Sequence, residues 1–199
     1  AEADWVYPND NATGYFRWSI EPAQLNALLD NIDALNKREK KNVLYNYQAL
    51  LNADEVGVGS VMKVLNSLAK DDDPAVIRAA VGVLAEFDYL VNDNNKAAYA
   101  ALLNQNYMPL LNELTLEQGE QDSADVIRLR NQLYGLLGTH ANNEKLVEQS
   151  IKIAKQYLAD TNSVPSGIAG TAIEIATRNS AESEHATWFN AIVEAFKKA

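Results

Sequence analysis

The chain has 199 residues, with 27 acidic and 17 basic side chains, and its net charge of −10 disfavours nucleic acids and anionic lipid surfaces as partners. The absence of Cys excludes thiol catalysis, disulfides and thiolate zinc sites. No run of about 18 apolar residues is present, so the sequence predicts no membrane span.

The first twenty residues differ from the rest. Two aromatic and β-branched stretches, 5–8 and 15–20, flank a dense cluster of turn residues at 9–14. This pattern predicts a β-hairpin over residues 1–20. Because two strands alone are marginally stable in water, we expect the hairpin to be a junction to an upstream domain. The chain begins at Ala1 without Met, and we interpret it as a fragment or a processed product.

Residues 21–199 predict a helical-repeat domain. Apolar residues recur at spacings of three and four along almost the whole segment. The predicted helices, in chain order, lie after Pro22, over about 37–51 and 58–68, after Pro74, over about 99–114 with a break near Pro109, from Asp122, and over about 143–158, 165–177 and 181–198. About nine helices joined by short polar turns indicate an all-α fold, a HEAT-like α-α superhelix.

The sequence contains no complete catalytic or metal-binding set. His140 and His185 lack the His-Glu-x-x-His pattern of a zinc site, and Gly57-Val58-Gly59 lacks the third Gly of a nucleotide-binding loop. The Asp71–Asp73 run lacks the alternating ligands of a calcium loop. We therefore assign no catalytic residue, metal ligand or cofactor to this chain.

Arginine offers the one candidate for binding. Arg128, Arg130 and Arg178 lie in or directly after predicted helices. Each could contact a peptide by holding a carboxylate bidentately. The alternative is an intramolecular ion pair with one of the 27 acidic residues.

The segment from Tyr7 to Trp18 resembles a recurring sequence of the aminopeptidase N family of zinc aminopeptidases (gluzincins). There, an Asn-containing turn leads into Gly-Tyr-Tyr-Arg-Val or a close variant. The resemblance implies an endoplasmic-reticulum-aminopeptidase-like C-terminal domain that follows a small β-sandwich domain. The implied interdomain junction residues are Gly14, Tyr15, Phe16, Arg17 and Trp18, with Phe16 and Trp18 standing where Tyr and Val are commoner.

In that family, an upstream catalytic domain supplies Gly-Ala-Met-Glu-Asn and the zinc-binding His-Glu-x-x-His, and neither motif occurs here. The resemblance implies that the helical domain caps the active site and controls access of the peptide substrate. The parent would then be a zinc-dependent hydrolase, whereas this chain alone would not be an enzyme. Its partners would be the upstream domains and the peptide, and the sequence allows both a cytoplasmic and a periplasmic or secreted location.

Two other functions remain open from the residues alone. A free-standing HEAT-like scaffold would bind a protein partner on its concave face. A helical enzyme with an unrecognised site would show a pocket with strongly perturbed carboxylates or histidines.

Overall fold

The computed structural model describes residues 4–117, 119–141 and 143–198. Ten α-helices lie within these ranges, and no strand is found in them. The helices are α1 (Pro22–Asp30), α2 (Lys37–Asn52), α3 (Val58–Leu68), α4 (Pro74–Glu86), α5 (Lys96–Asn106), α6 (Met108–Leu114), α7 (Ala124–His140), α8 (Glu144–Ala159), α9 (Ser166–Arg178) and α10 (His185–Lys198). The all-α prediction is confirmed.

Side chains cap the start of α2, α4, α7 and α8. At α2, Asn36 Oδ1 accepts the Glu39 N–H at 3.1 Å, and Glu39 Oε2 accepts the Asn36 N–H at 2.9 Å. At α4, Asp73 Oδ1 accepts the Ala75 N–H at 2.8 Å, and Pro74 occupies the first turn. These bonds satisfy backbone donors that the first turn of a helix leaves without a partner.

Pro109 explains why the described residues form ten α-helices where the apolar spacing predicts about nine. The apolar pattern over 99–114 divides into α5, which ends at Asn106, and α6, which begins at Met108 with Pro109 in its first turn. A proline lacks the N–H that an uninterrupted helix would need and clashes with the preceding turn. The predicted break is confirmed.

The chain divides into two compact units, Ala1–Leu90 and Val91–Ala199. In the first unit, α2 packs against α3, α4 and the Asp10–Ala12 turn. Its core consists of fully buried side chains, including those of Val43, Leu44, Tyr47, Val64 and Leu84. Helix α2 is therefore the element on which the N-terminal segment rests.

In the second unit, α9 packs along α8 and α7, and α7 also contacts α5 and α6. Tyr134 on α7 is fully buried and donates a hydrogen bond to Ser150 Oγ on α8 at 2.7 Å. Gly138 on α7 lies against Ile175 on α9, where a methyl group in place of the Gly hydrogen would approach Ile175 Cδ1 to 2.1 Å. The superhelical stacking of successive helix pairs stays a prediction.

The predicted β-hairpin is wrong. Among residues 4–20 no strand forms, and the turn cluster folds as a 3-10 helix, Asp10–Ala12, with Asn11 at a φ of 54°. The flanking segments do not pair with each other. In the second, the Trp18 N–H and carbonyl bond to Asn46 of α2, and in the first the Tyr7 hydroxyl bonds to Asn42 of α2. The turn could be predicted because its residues are adjacent in sequence. The residues that bind the flanking segments lie on α2, far along the chain, and could not be predicted.

Candidate functional site

The N-terminal segment is fastened to α2 through Trp18. Asn46 Oδ1 accepts the Trp18 N–H at 3.2 Å, and Asn46 Nδ2 donates to the Trp18 carbonyl at 2.6 Å. Asn46 is fully buried, and the Trp18 ring packs edge-to-face against Tyr7 and Tyr47, with ring centroids 5.8 Å apart in both pairs. The Asn46 amide thus makes the two hydrogen bonds to the Trp18 backbone that a neighbouring strand would otherwise make.

Two more side chains of α2 bind the same segment. Glu39 Oε1 accepts the Asn11 N–H at 2.8 Å, and Asn42 Oδ1 accepts the Tyr7 hydroxyl at 2.8 Å. Burial, with the nearby Glu39 and Asp10 carboxylates adding to it, raises the pKa of Tyr7 to about 12. The hydroxyl therefore stays protonated and donates to Asn42 over the whole neutral range.

Glu39, Asn42 and Asn46 are spaced by three and four residues, so they share one face of α2. None of the three was singled out from the sequence. The available signal was this row of polar residues, which interrupts the apolar stripe of Val43, Tyr47 and Leu50. We call Glu39, Asn42 and Asn46 the polar row of α2.

Gly14 closes the turn. The Gly14 N–H donates to Asn9 Oδ1 at 2.7 Å, and Asn9 Nδ2 donates to the Gly14 carbonyl at 3.1 Å. A Cβ at position 14 would lie 2.1 Å from Phe16 Cε1 and 2.9 Å from Asn9 Oδ1. A side chain at this position would have to displace the Phe16 ring and the Asn9 amide from their places against the backbone.

The predicted junction residues fall into two groups. Trp18 is buried, whereas Tyr15 is fully exposed, Phe16 is 52% exposed and Arg17 is exposed. Tyr15, Phe16 and Arg17, together with Ala12, Gly14 and Asn42, line an open cavity of about 440 Å³. Adjacent exposed aromatic side chains are typical of surfaces that contact another protein surface. We call Tyr15, Phe16 and Arg17 the outward aromatic surface.

The three candidate arginines have different surroundings. Arg128 is exposed on α7, and no ion pair joins it to a described acidic residue. Arg178 is also exposed, but its Nη2 lies 3.1 Å from Glu174 Oε1 one helical turn away. Arg178 thus forms an intramolecular ion pair.

Arg130 is buried and holds the loop between α6 and α7. Its Nη2 donates to Asp122 Oδ2 at 2.6 Å, and its Nε donates to the Thr115 carbonyl at 3.0 Å. The hydrogen bonds from Arg130 and from the Gly119 N–H hold the pKa of Asp122 below its usual value. Arg130 is thus also in an intramolecular ion pair, and Nη1 has no hydrogen-bond partner in the described part of the chain.

A cavity of about 560 Å³ lies beside Arg130, within the second unit. Its walls are mostly aliphatic, and Asn131, Gln149 and Ser163 add polar groups. The aliphatic walls come from Leu116, Ile127, Ile153, Val164, Pro165 and Ile168. The size lies in the range of cavities that bind small ligands or single side chains.

The described ranges contain no group of three or more His, Cys, Asp or Glu side chains placed to hold a metal ion. The His140 ring packs edge-to-face on Tyr99, with centroids 5.8 Å apart. Within the same ranges, no helix has the length and apolar character needed to cross a membrane.

No curated protein and no solved structure matches this chain. A family model does: the ERAP1-like C-terminal domain, over residues 5–199. The match includes the segment from Tyr7 to Trp18 and all ten helices. The chain therefore belongs to the family of ERAP1-like C-terminal domains, which is a family of aminopeptidase C-terminal domains.

Proposed function

We propose that this chain is the domain that caps the active site of a zinc aminopeptidase and controls the access of peptides to it. Membership of the family supports this function, since the family consists of C-terminal domains of aminopeptidases. The zinc and its ligands would belong to an upstream catalytic domain of the same parent chain. This chain would contribute a surface that positions it against the upstream domains.

The outward aromatic surface is the observation that carries the proposal. Tyr15 and Phe16 are exposed although they are large and partly apolar, and they follow a turn fixed by Asn9 and Gly14. The polar row of α2 fixes the backbone on either side of them, at Asn11 and at Trp18. A rigid segment that presents exposed aromatics loses little conformational entropy when another domain covers it.

Arg128 is the arginine best suited to contact a peptide in this function. Its guanidinium is exposed, whereas Arg130 is buried and Arg178 is paired with Glu174. An unpaired guanidinium can bind a carboxylate through two parallel N–H donors. We therefore propose Arg128 as a peptide contact. Arg130 and Arg178 are weaker candidates for such a contact.

The parent enzyme tests the proposal. We expect Tyr15→Ala combined with Phe16→Ala to change the ratio of kcat/KM for a long peptide to kcat/KM for a small aminoacyl chromogenic substrate. A change of about tenfold would correspond to about 1.4 kcal/mol of selective transition-state binding. Tyr89→Ala is the matched control, because Tyr89 is another exposed tyrosine, 73% exposed, outside the junction segment.

An unchanged ratio in the double variant would contradict the access role. The chain alone provides a second test, since it should not hydrolyse aminoacyl substrates in the presence of zinc. Zinc-dependent turnover by the purified chain would overturn the assignment of catalysis to an upstream domain.

A further inference from the structure

Burial alternates along the segment from Tyr15 to Ile20. Tyr15, Arg17 and Ser19 are exposed, whereas Trp18 is 7% exposed and Ile20 is half-buried. Residues 13–21 contain neither a helix nor a turn. A period of two is the pattern of an extended strand, in which successive side chains point to opposite faces. The segment is therefore strand-like, although no described residue pairs with it as a second strand.

The hydrogen bonds of this segment follow the same period. The Trp18 N–H and carbonyl both bind the Asn46 amide. Arg17 and Ser19, on either side of Trp18, form no hydrogen bond with any described residue. Because the N–H and carbonyl groups of neighbouring residues in a strand point to opposite edges, the backbone groups of Arg17 and Ser19 point away from α2. The segment thus has one edge bound to α2 and one free edge.

The free edge offers backbone donors and acceptors in the pattern of a β-sheet. Arg17 and Ser19 each present an N–H and a carbonyl, two residues apart, and a second strand can match both. A helix bonds its own backbone groups internally, so it cannot supply this pattern. Unpaired edges of this kind are the places where a strand of another sheet adds to a protein. The chemistry of the edge therefore favours a β-strand as the partner.

Two other occupants of the free edge fit less well. Residues 5–8 and 15–20 are all described, and no backbone hydrogen bond joins them, while the Tyr7 hydroxyl is bound to Asn42 of α2. A second copy of the chain would bring together two molecules that each carry a net charge of −10, and like net charges oppose association. A strand from a different domain meets neither obstacle.

We propose that the free edge of the segment from Tyr15 to Ile20 pairs with an edge strand of a β-sheet in another domain of the parent chain. Arg17 and Ser19 form the backbone hydrogen bonds, and the exposed side chains of the outward aromatic surface cover neighbouring residues of that sheet. The identity of the partner as an upstream domain rests on the proposed function. The pairing of the edge with a strand rests on the backbone of this segment alone.

Hydrogen exchange of single backbone amides tests the proposal, measured by mass spectrometry with fragmentation along the chain. In this chain alone, the Arg17 and Ser19 amides should exchange as fast as those of an unfolded peptide. In the parent protein, we expect their exchange to slow by about 100-fold, because a paired amide exchanges only when the pairing opens. The Trp18 amide should be protected in both proteins, since Asn46 accepts its N–H.

Ser19→Pro tests the edge, because proline has no N–H and its ring obstructs an added strand. Ser19→Ala is the matched control, since it changes the same exposed side chain and keeps the N–H. In the parent, Ser19→Pro should raise the exchange rate of the Arg17 amide by about 100-fold, to its rate in this chain alone. Ser19→Ala should leave that rate unchanged. If Ser19→Pro removes the protection of Trp18 in this chain alone, Arg17→Pro takes its place, with the Ser19 amide as the reporter.

Fast exchange at Arg17 and Ser19 in the parent would overturn the proposal. Protection of these amides in a dilute solution of this chain would mean pairing with residues 5–8, and protection that increases with its concentration would mean pairing with a second copy. Either result would overturn the assignment of the partner to another domain.

The exchange experiment is independent of the experiment on peptide access. Protection in the parent, together with an unchanged peptide-selectivity ratio in the variant that combines Tyr15→Ala and Phe16→Ala, would leave the pairing in place and refute the access role. A changed ratio together with fast exchange would leave the access role in place and refute the pairing.

Discussion

The amide of Asn46 and the backbone of Trp18 form a closed pair of hydrogen bonds, with distances of 3.2 Å and 2.6 Å. The pair reproduces with one side chain the two bonds that a residue of a neighbouring strand would make. It also lies inside the protein, since Asn46 is fully buried and Trp18 is 7% exposed. The attachment of the Trp18 backbone to α2 therefore depends on Asn46, whereas Glu39 and Asn42 bind the segment at Asn11 and Tyr7.

Asn46→Leu should lower the free energy of unfolding. The substitution preserves much of the side-chain volume but leaves the Trp18 N–H and carbonyl without partners, at a cost of roughly 1–3 kcal/mol for each group. Urea unfolding followed by tryptophan fluorescence measures the change. Asn52→Leu on the exposed end of the same helix is the control, and an equal loss in both variants would contradict the role of Asn46.

Tyr7 should make the free energy of unfolding depend on pH in the alkaline range. Its pKa is raised to about 12 in the folded protein, above the value of about 10 of an unfolded chain. A raised pKa contributes stability that is fully present below pH 10 and is lost as the pH rises toward 12.

Tyr7→Phe should remove part of this alkaline loss while keeping the ring that packs on Trp18. The measurement is the midpoint of urea unfolding at neutral pH and at several values above pH 10. Tyr89→Phe at an exposed position is the control. The same alkaline slope in wild type and in Tyr7→Phe would refute the assignment.

Gly138 and Gly170 should respond to Ala in opposite directions. At Gly138, the new methyl group would meet Ile175 Cδ1 at 2.1 Å and Cγ1 at 2.6 Å, and Ile175 is itself fully buried. Such overpacking costs about 1–3 kcal/mol. At Gly170 no atom lies within 4 Å of the added methyl, so the better helix propensity of Ala should stabilise the protein by about 0.5–1 kcal/mol.

Thermal and urea unfolding of the two variants measure these effects. Each variant serves as the control of the other, because both place Ala inside a helix of the second unit. Stabilisation by Gly138→Ala would show that α7 and α9 are not in close contact at this point.

Asp122 should link the stability of the second unit to acidic pH. Its pKa is lowered by hydrogen bonds from Arg130 and the Gly119 N–H. A lowered pKa contributes stability that is present above the unfolded value of about 3.9 and is lost as the pH falls below it. Asp122→Asn should therefore unfold with a shallower dependence on pH in that range.

Circular dichroism during urea unfolding, between neutral pH and the acidic range below about 4, measures this dependence. Glu148→Gln, an exposed carboxylate-to-amide change on α8, is the control. An acid slope that is unaffected by Asp122→Asn would contradict the coupling of Asp122 to Arg130.

The helices could be predicted because their signals are local. Apolar spacing, Pro74 at a helix start and Pro109 at a break all act within one or two turns of the backbone. The junction motif from Tyr7 to Trp18 was likewise readable, and the family match contains it. The roles proposed for its exposed residues stay predictions.

Other features depended on residues that are distant in sequence. The residues adjacent to Arg130 in sequence do not distinguish it from a surface arginine. In the structure it is buried against Asp122 and the α6–α7 loop. The cavity beside it is assembled from the α6–α7 loop, α7, α8 and the segment that leads into α9. Neither burial nor a cavity of this kind has a sequence period.

The sequence by itself determined the helices, their caps, the turn at Asn9–Gly14 and the family. Only the tertiary structure decided what the aromatic segment binds, and it replaced the predicted hairpin with an attachment to Glu39, Asn42 and Asn46. The physical reason is that a backbone N–H or carbonyl needs a partner but does not specify which one. Here the partner is supplied by a helix about 28 residues further along the chain.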